Sequence, residues 1–274
     1  MGIMKKRLTL LLFFFLSAKP LALICDLGGV FIDTNRTETT RRVGLISYLH
    51  YLTSFSIPSS TVLKSTLFSF LSTLDIPYDE PIVAYDCSGL PLPPVMHAWL
   101  KGTHSNKEII QALQNELGKT QFFTGFAEKN LIEKIAYMIF DPWHFAQTRH
   151  VSRTGTAFLQ QCKKAGHKLF ILSNWDRESF TILYNNNPAF FQLFDGIIIS
   201  GEVGLLKPDP AIFTCLLSTY GLQPADCLFI DDQAINIKAA QSVGLHTCHY
   251  QKKKRFFRES PNFESVEQAI TLLS

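Results

Sequence analysis

The stretch Cys227-Leu228-Phe229-Ile230-Asp231-Asp232 is a short apolar run that ends in two adjacent carboxylates. Such a run is typical of a strand that is buried on both faces of a sheet. Two other runs follow the same pattern, because residues 21–25 end at Asp26 and residues 168–172 end at Ser173 and Asn174. The carboxyl ends of adjacent parallel strands meet at one edge of an open sheet, where ligands bind. We therefore expect these side chains to converge at one site.

The segment between the apolar runs 168–172 and 227–230 adds a cation to this set. It reads Ser200-Gly201-Glu202-Val203-Gly204-Leu205-Leu206-Lys207-Pro208 and brings Lys207 into the same part of the chain. From residue 154 onward, helical and strand patterns alternate, as in a doubly wound domain. The pattern predicts helices over 154–165, 177–185, 209–220 and 233–243, and strands over 168–172, 196–200, 227–230 and 245–249. The fold class is therefore α/β, with a doubly wound, Rossmann-like parallel sheet.

A long helical segment separates the apolar run 21–25 from this alternating region. Residues 35–53, 60–74 and 127–139 have helical patterns, and Ser105 with Glu108 forms the sequence signature of a capping box that opens a helix over 105–117. A structureless loop of this length is uncommon inside a compact domain. We therefore predict a core formed by residues 19–33 and 151–274, with residues 34–150 inserted as a helical cap.

The converging groups suit phosphoryl transfer. An aspartate carboxylate can attack phosphorus to give an acyl-phosphate, while a hydroxyl and an ammonium group hold the phosphoryl oxygens. Mg²⁺ prefers a few carboxylates together with water and substrate phosphate, which is what Asp26, Asp231 and Asp232 would supply.

In these motifs the chain resembles the haloacid dehalogenase-like hydrolase superfamily, in the branch with a helical cap after the first motif. The resemblance covers nearly all of the chain from about Leu21. It implies that Asp26 is the nucleophile, that Ser173, Asn174 and Lys207 bind the substrate phosphate, and that Ser173 and Lys207 also take part in catalysis. It further implies a Mg²⁺ site made by Asp26, the backbone carbonyl of Gly28, and the pair Asp231 and Asp232. The expected reaction is hydrolysis of a small organic phosphate.

Gly28 departs from the commonest phosphatase pattern of that superfamily. Most of its phosphatases carry an aspartate two residues after the nucleophile as a general acid and base, which typically contributes about 10²–10⁴-fold to the rate. The metal-binding carbonyl is retained here but the side chain is absent, so we expect slow turnover unless another group supplies the proton. Two alternatives stay open: a metal-independent 2-haloacid dehalogenase that uses the same Asp26, and a weakly active binding or regulatory protein.

Each motif residue also has a structural interpretation when it is considered alone. Asp26 after a strand is typical of a turn or helix cap, and Ser173 could cap the helix that starts near Asp176. Lys207 alone is typical of a solvated surface lysine, and Asp231-Asp232 of a loop. The order of the four motifs, each near a strand end, favours the catalytic interpretation.

The N-terminal residues have the pattern of an export signal. Lys5-Lys6-Arg7 precedes the apolar run 8–16 and the small residues Ser17 and Ala18, which is typical of a secretory signal peptide. The apolar run is short for a transmembrane helix. We therefore predict export with cleavage near Ala18 and no stable membrane insertion after processing. The alternative is a retained hydrophobic extension on a cytoplasmic protein.

The amino-acid composition limits which classes of binding partner are expected. The 274-residue chain is 46% hydrophobic, which permits a large core, and its formal charge of +3 gives no global basic field for nucleic acid. The basic run Lys252-Lys253-Lys254-Arg255 is typical of a solvated surface, with an anionic partner as the less favoured interpretation. The six cysteines lack metal-ligand spacing and are expected to be buried apolar residues. The sequence does not indicate an oligomeric state.

Overall fold

The computed structural model describes residues 19–54, 60–78, 80–81, 84–86, 88–119, 122–255 and 258–273. The predicted export signal, residues 1–18, lies outside the described residues. The strands are β1 (Ala22–Cys25), β2 (Ile32–Thr34), β3 (Arg149–Val151), β4 (Lys168–Ser173), β5 (Gly196–Ile199), β6 (Cys227–Asp231), β7 (His246–His249), β8 (Lys253–Arg255) and β9 (Arg258–Ser260). The helices are α1 (Arg36–Val43), α2 (Leu45–Ser54), α3 (Ser60–Leu71), α4 (Pro94–Lys101), α5 (Asn106–Lys119), α6 (Phe126–Phe140), α7 (Pro142–Gln147), α8 (Arg153–Lys164), α9 (Arg177–Asn186), α10 (Pro188–Phe191), α11 (Ser200–Val203), α12 (Pro210–Tyr220), α13 (Ala234–Ser242) and α14 (Glu264–Leu273).

The core is an open parallel sheet with the strand order β5-β4-β1-β6-β7. Strand β1 lies between β4 and β6, with Cys25 paired to Ile171 on one side and to Ile230 on the other. The chain therefore reverses its direction of winding next to β1, so the crevice at the carboxyl ends of β1, β4 and β6 is the expected ligand site. The predicted α/β fold class is confirmed.

Both faces of the sheet are buried, which explains the continuous apolar runs. Leu23 and Cys25 of β1 belong to one hydrophobic cluster, together with Phe158 and Leu159 of α8. Ala22 and Ile24 point to the other face and pack with residues of α12 and α13. A strand with two buried faces needs apolar residues at every position, since successive side chains alternate between the faces.

The inserted helices α1 to α7 lie between β2 and β3, which pair with each other as an antiparallel ribbon. Helices α3 to α6 share a hydrophobic cluster of their own, in which Trp99 packs edge-on against Phe140. The Ser200 hydroxyl of the core donates to the Leu100 carbonyl over 2.7 Å, which joins α4 to the core. The helical insertion is thus present, and the boundaries 34–150 stay a prediction.

Two local predictions in the insertion have different outcomes. The capping box is confirmed, because the backbone N–H of Ser105 donates to Glu108 over 2.8 Å and the Glu108 N–H donates back to the Ser105 hydroxyl over 3.3 Å. The single helix predicted over 35–53 is wrong, because Gly44 has a φ of 92° and separates α1 from α2. That left-handed φ suits glycine and ends the helix.

Among the described residues, none of the helices combines the length and the apolar character that a membrane span requires.

Candidate active site

The carboxyl ends of three neighbouring strands hold the acidic and hydroxyl groups of the site. Asp26 directly follows β1, and its backbone N–H donates to the Ile230 carbonyl of β6 over 2.9 Å. Ser173 is the last residue of β4, and Asp231 is the last residue of β6. The parallel registers place these chain ends side by side, as the strand-end argument predicts.

Lys207 joins two of these strand ends through a buried ammonium group. Its Nζ donates to Asp26 Oδ1 over 2.7 Å and to Asp231 Oδ2 over 2.7 Å. The Lys207 residue is only 2% exposed, so it is not a solvated surface lysine. Isolated buried charges are strongly disfavoured, and the two carboxylates compensate the ammonium charge.

Ser173 and Asn174 connect the β4 end to the same group of residues. The Ser173 hydroxyl donates to Asp26 Oδ1 over 2.9 Å. The Asn174 side chain donates to the Lys207 carbonyl and accepts from the Lys207 N–H, each over 2.8 Å, which fixes the backbone of that lysine. Helix α9 is capped by Asp176, whose carboxylate accepts from the Ser179 N–H. Ser173 is therefore not a helix cap, and its hydroxyl faces the site.

Asp231 is saturated with protein donors. Its Oδ1 accepts from the Gln233 N–H over 2.7 Å and from Asn236 over 3.1 Å, and its Oδ2 accepts from Lys207 and from Asn236. The residue is fully buried. Asn236 lies on the first turn of α13 and was missed by the sequence analysis, although an amide this close to the acid pair could have been noted. We infer that Asp231 orients Lys207.

Three carboxylates form a cluster that could hold a metal ion. Oxygens of Asp26, Asp231 and Asp232 all lie within 4.8 Å of one another. Gly29 has a φ of 78°, and a side chain there would collide with the Asp232 carboxylate. Gly28 has no neighbour within 4 Å of where a Cβ would stand, and it lines the cavity described below. The chain therefore needs glycine at position 29, but it has room for a side chain at position 28.

Burial and mutual repulsion raise the pKa values of the two carboxylates that border the cavity. Burial raises the pKa of Asp26 to about 6, opposed by Lys207 and assisted by Asp231. Burial, with the charges of Asp26 and Asp231, raises the pKa of Asp232 to about 7. Burial disfavours the charged form of Lys207, but Asp231 and Asp26 outweigh it and raise the pKa of Lys207 above its ordinary value. A bound cation would relieve the repulsion among the carboxylates.

A cavity of about 920 Å³ opens above these groups. Its floor includes Asp26, Gly28, Ser173, Lys207 and Asp232, and Asn174 also lines it. Its walls are formed by residues of the β2–β3 ribbon, the inserted helices, the segments that follow β4 and β6, and the C-terminal region. They are Ile32, Asp33, Thr34, Arg36, Leu100, Phe145, Arg149, His150, Trp175, Gln233, Asn236, Lys252 and Pro261, and Gly29 also contributes. The volume is at the upper end of the range for small-molecule pockets, which is about 300–1,000 Å³.

The cavity wall contains charged residues that the sequence did not indicate. Lys252 forms an ion pair with Asp33, so this member of the basic run belongs to the cavity and not to a purely solvated surface. Arg149 of β3 donates to the Thr34 hydroxyl of β2. Both contacts join segments that are far apart in the chain, and such contacts leave no local pattern.

Comparisons with known proteins agree with the fold. A family model described as haloacid dehalogenase-like hydrolase matches residues 21–244. Haloacid dehalogenase-like hydrolase domain-containing protein 3 of Bos taurus is 31% identical over 124 residues, which cover 45% of this chain and 49% of that protein. Sesquiterpene phosphatase astK of Aspergillus oryzae is 31% identical over 94 residues, which cover 34% of this chain and 47% of that protein. The chain thus spans less than half of the length of these curated relatives.

Solved structures share the fold at low sequence identity. A HAD family enzyme from Bacteroides thetaiotaomicron, in complex with magnesium and inorganic phosphate, has a TM-score of 0.55 and 18% identity, and the match covers 88% of this chain and all of that one. A dehalogenase has a TM-score of 0.51 and 16% identity, and the match covers 90% of this chain and 89% of that one. At these identities the likeness shows the fold alone.

Proposed function

We propose that this chain, which belongs to the haloacid dehalogenase-like hydrolases, is a Mg²⁺-dependent phosphatase that hydrolyses small organic phosphates through an aspartyl-phosphate. The observation that carries the proposal is the buried Lys207 ammonium group, held between Asp26 and Asp231 beside the cluster of three carboxylates. A related chain is named a sesquiterpene phosphatase, and a protein of the same fold was solved with magnesium and phosphate. Both support phosphoryl transfer.

Asp26 is the proposed nucleophile. Its Oδ1 accepts from Ser173 and Lys207, whereas its Oδ2 has no protein donor among the described residues. Oδ2 is therefore the oxygen available to attack phosphorus and displace the alcohol oxygen. Water then attacks the phosphorus of the aspartyl-phosphate, which releases inorganic phosphate and restores the carboxylate.

Lys207 and Ser173 are the proposed phosphate-binding groups. An ammonium group has three N–H donors, and Asp26 and Asp231 take two of them. The third donor is left for a phosphoryl oxygen above the cavity floor. Ser173 lines the cavity too, so its hydroxyl can turn from Asp26 to the substrate. Preorganised donors of this kind stabilise the charge that develops on the transferring group.

The carboxylate cluster fits Mg²⁺ as the metal. Hard oxygen ligands, few in number and open to water and substrate, match its preference. Asp26 and Asp232 border the cavity, and the Gly28 carbonyl is the third proposed ligand from the protein. Asp231 belongs to the cluster, but its oxygens are occupied by protein donors, so we assign it an indirect role. When bound, the cation would neutralise phosphoryl charge.

Release of the alcohol is the step for which position 28 supplies no proton donor. Gly28 stands where an acid is expected, and its backbone leaves open space. Turnover should therefore depend on how readily the leaving oxygen departs without protonation. Aryl phosphates should react faster than alkyl phosphates.

Phosphate release from an aryl phosphate tests the proposal. We expect release to need Mg²⁺, to stop with chelator, and to be lost in Asp26→Asn, because a neutral amide cannot form the acyl-phosphate. Thermal unfolding of the variant serves as the folding control. Near-normal activity of Asp26→Asn would contradict the mechanism.

Two other functions would release little or no phosphate in this assay, and each has a readout of its own. A 2-haloacid dehalogenase would release halide without Mg²⁺, and it has no need for the acid pair Asp231 and Asp232. A binding or regulatory protein would retain phosphate in the pocket with little or no turnover.

We also propose that the chain is exported. The support is the sequence pattern of residues 1–18 alone. Cleavage after Ala18 would leave β1 intact, since β1 begins at Ala22.

A further inference from the structure

Arg149 is an arginine in the cavity wall whose charge has no carboxylate partner among the described residues. It lies on β3, where it pairs in register with Thr34 of β2, and both residues line the cavity. Among the described residues, no carboxylate forms an ion pair with Arg149. One terminal nitrogen donates to the Thr34 hydroxyl, and the buried Nε has no acceptor in the described part of the chain.

The guanidinium group of Arg149 is nevertheless held in a defined orientation. Its central carbon lies 4.1 Å from the centroid of the Phe145 ring. Phe145 is itself packed edge-on against Trp175, with 5.8 Å between the ring centroids. A guanidinium group that stacks on an aromatic face loses little conformational freedom when it binds a ligand. The Arg149 side chain is thus preorganised for an anionic acceptor that the described residues do not supply.

An unpaired, partly buried cation destabilises the folded protein, because its charge is removed from water without a compensating anion. Burial lowers the pKa of Arg149 to about 10, which leaves the group protonated at neutral pH. Two other cations that line the cavity are compensated, since the buried Lys207 contacts two carboxylates and the half-buried Lys252 pairs with Asp33. Removal of a charge from water without a partner is strongly unfavourable. A ligand anion at Arg149 would remove that penalty.

The geometry of the cavity sets where this anion would lie. The phosphoryl group of the proposed substrate occupies the floor, at Asp26, Ser173 and Lys207. Arg149 lines the same cavity from the wall, where the rest of the substrate must lie. Arginine presents N–H donors in a planar fork that matches the two oxygens of a carboxylate or phosphate.

We infer that the substrate carries a second anionic group, a carboxylate or another phosphate on its leaving group, and that Arg149 binds this group. This inference rests on the proposed function, because it places the transferred phosphate at Asp26. It makes Arg149 the residue that selects substrates with an anionic leaving group over those with a neutral one. Arg36, the exposed first residue of α1, also lines the cavity and adds a further positive charge to its wall.

Matched aryl phosphates test the inference. meta-Carboxyphenyl phosphate and its neutral amide, meta-carbamoylphenyl phosphate, have similar shapes and leaving-group electronics, and resorcinol bisphosphate carries a phosphate in the same place. We expect the wild type to prefer a charged ester over the amide in kcat/KM. Charge-assisted hydrogen bonds of this kind correspond to a preference of about 10- to 100-fold. The larger of the two preferences identifies the anion as carboxylate or phosphate.

Arg149→Gln should abolish this preference, and Arg149→Lys should retain part of it because the charge remains without the planar fork. Arg153→Gln is the control, because it removes the same charge from a residue that is exposed on α8 and lies outside the cavity. Its preference should equal that of the wild type. A wild type without preference for either charged ester would overturn the inference, as would an Arg149→Gln variant that lowers all rates and keeps the preference.

A binding measurement separates this inference from the proposed function. Calorimetric titration with meta-carboxyphenyl phosphate and with the amide needs no turnover. If the protein released no phosphate from any ester, the proposed phosphatase function would fail. Tighter binding of the charged ester, lost in Arg149→Gln, would still support the anion site. Equal binding of both esters by wild type and variant would overturn it.

Discussion

Replacement of Lys207 by methionine tests how the cluster of carboxylates is stabilised. Methionine retains most of the side-chain volume, so little of the effect comes from a cavity. The change removes an ammonium group that is 2% exposed and contacts Asp26 and Asp231. Loss of one partner from a buried ion pair typically costs about 3–5 kcal/mol. We therefore expect the free energy of unfolding to fall by about 4 kcal/mol near pH 8 in the presence of chelator.

The pH dependence of this loss follows from the direction of the pKa shift of Asp26. Burial raises the pKa of Asp26 to about 6, and Lys207 opposes that rise. Without Lys207 the pKa of Asp26 must rise further. A carboxyl group whose pKa is higher in the folded than in the unfolded state binds its proton more tightly when folded, so it stabilises the protein as the pH falls. The Lys207→Met penalty should therefore be smaller near pH 5 than near pH 8.

The assay is urea unfolding of wild type and variant at both pH values. Lys238→Met is the matched control, because Lys238 is exposed on α13 and should change stability by no more than about 0.5 kcal/mol. A penalty that is absent near pH 8, or that is equal at both pH values, would refute the electrostatic reasoning.

Two further predictions rest on the geometry of the site, and a third rests on the N-terminal sequence. Mg²⁺ affinity should weaken as the pH falls below about 7, because protons compete for Asp26 and Asp232, whose pKa values are raised to about 6 and about 7; an affinity that calorimetry finds independent of pH would contradict this. Gly28→Asp should raise alkyl-phosphate turnover, since a side chain at Gly28 meets open space and would supply an acid; a wild-type rate that does not depend on leaving-group quality, with chemistry rate-limiting, would show that another group is already the acid. Protein recovered from its native cell should begin near Lys19 by mass spectrometry, and a full-length cytosolic product would reject export.

The core could be predicted because its strands are encoded in short, contiguous stretches of sequence. Apolar runs such as residues 227–230 define strands without knowledge of their neighbours, and the polar residue after each run marks the sheet edge. The meeting of Asp26, Ser173 and Asp231 followed from that rule, whereas Lys207 was added because its segment lies between two of these runs. Their proposed roles rest on chemistry and on resemblance, and the experiments above test them.

Other features could not be predicted because they depend on tertiary contacts or on backbone conformation. The helical pattern of residues 35–53 continues through Gly44, so nothing in its periodicity revealed the break. Arg149 reaches the cavity only because β3 pairs with β2 across the whole insertion. The basic run that contains Lys252 has the pattern of a solvated surface, and only the tertiary structure shows that Lys252 pairs with Asp33. Side chains that meet in this way leave no signal in a single sequence.

The most direct test of the central claim is to trap the covalent intermediate on Asp26. Turnover of an aryl phosphate with Mg²⁺ is stopped in acid, the protein is reduced with borohydride, and peptides are analysed by mass spectrometry. Reduction converts an acyl-phosphate at Asp26 to homoserine, so we predict homoserine at position 26 only when both substrate and Mg²⁺ are present. Phosphate release without modification of Asp26, or with modification of another carboxylate, would contradict the proposed mechanism.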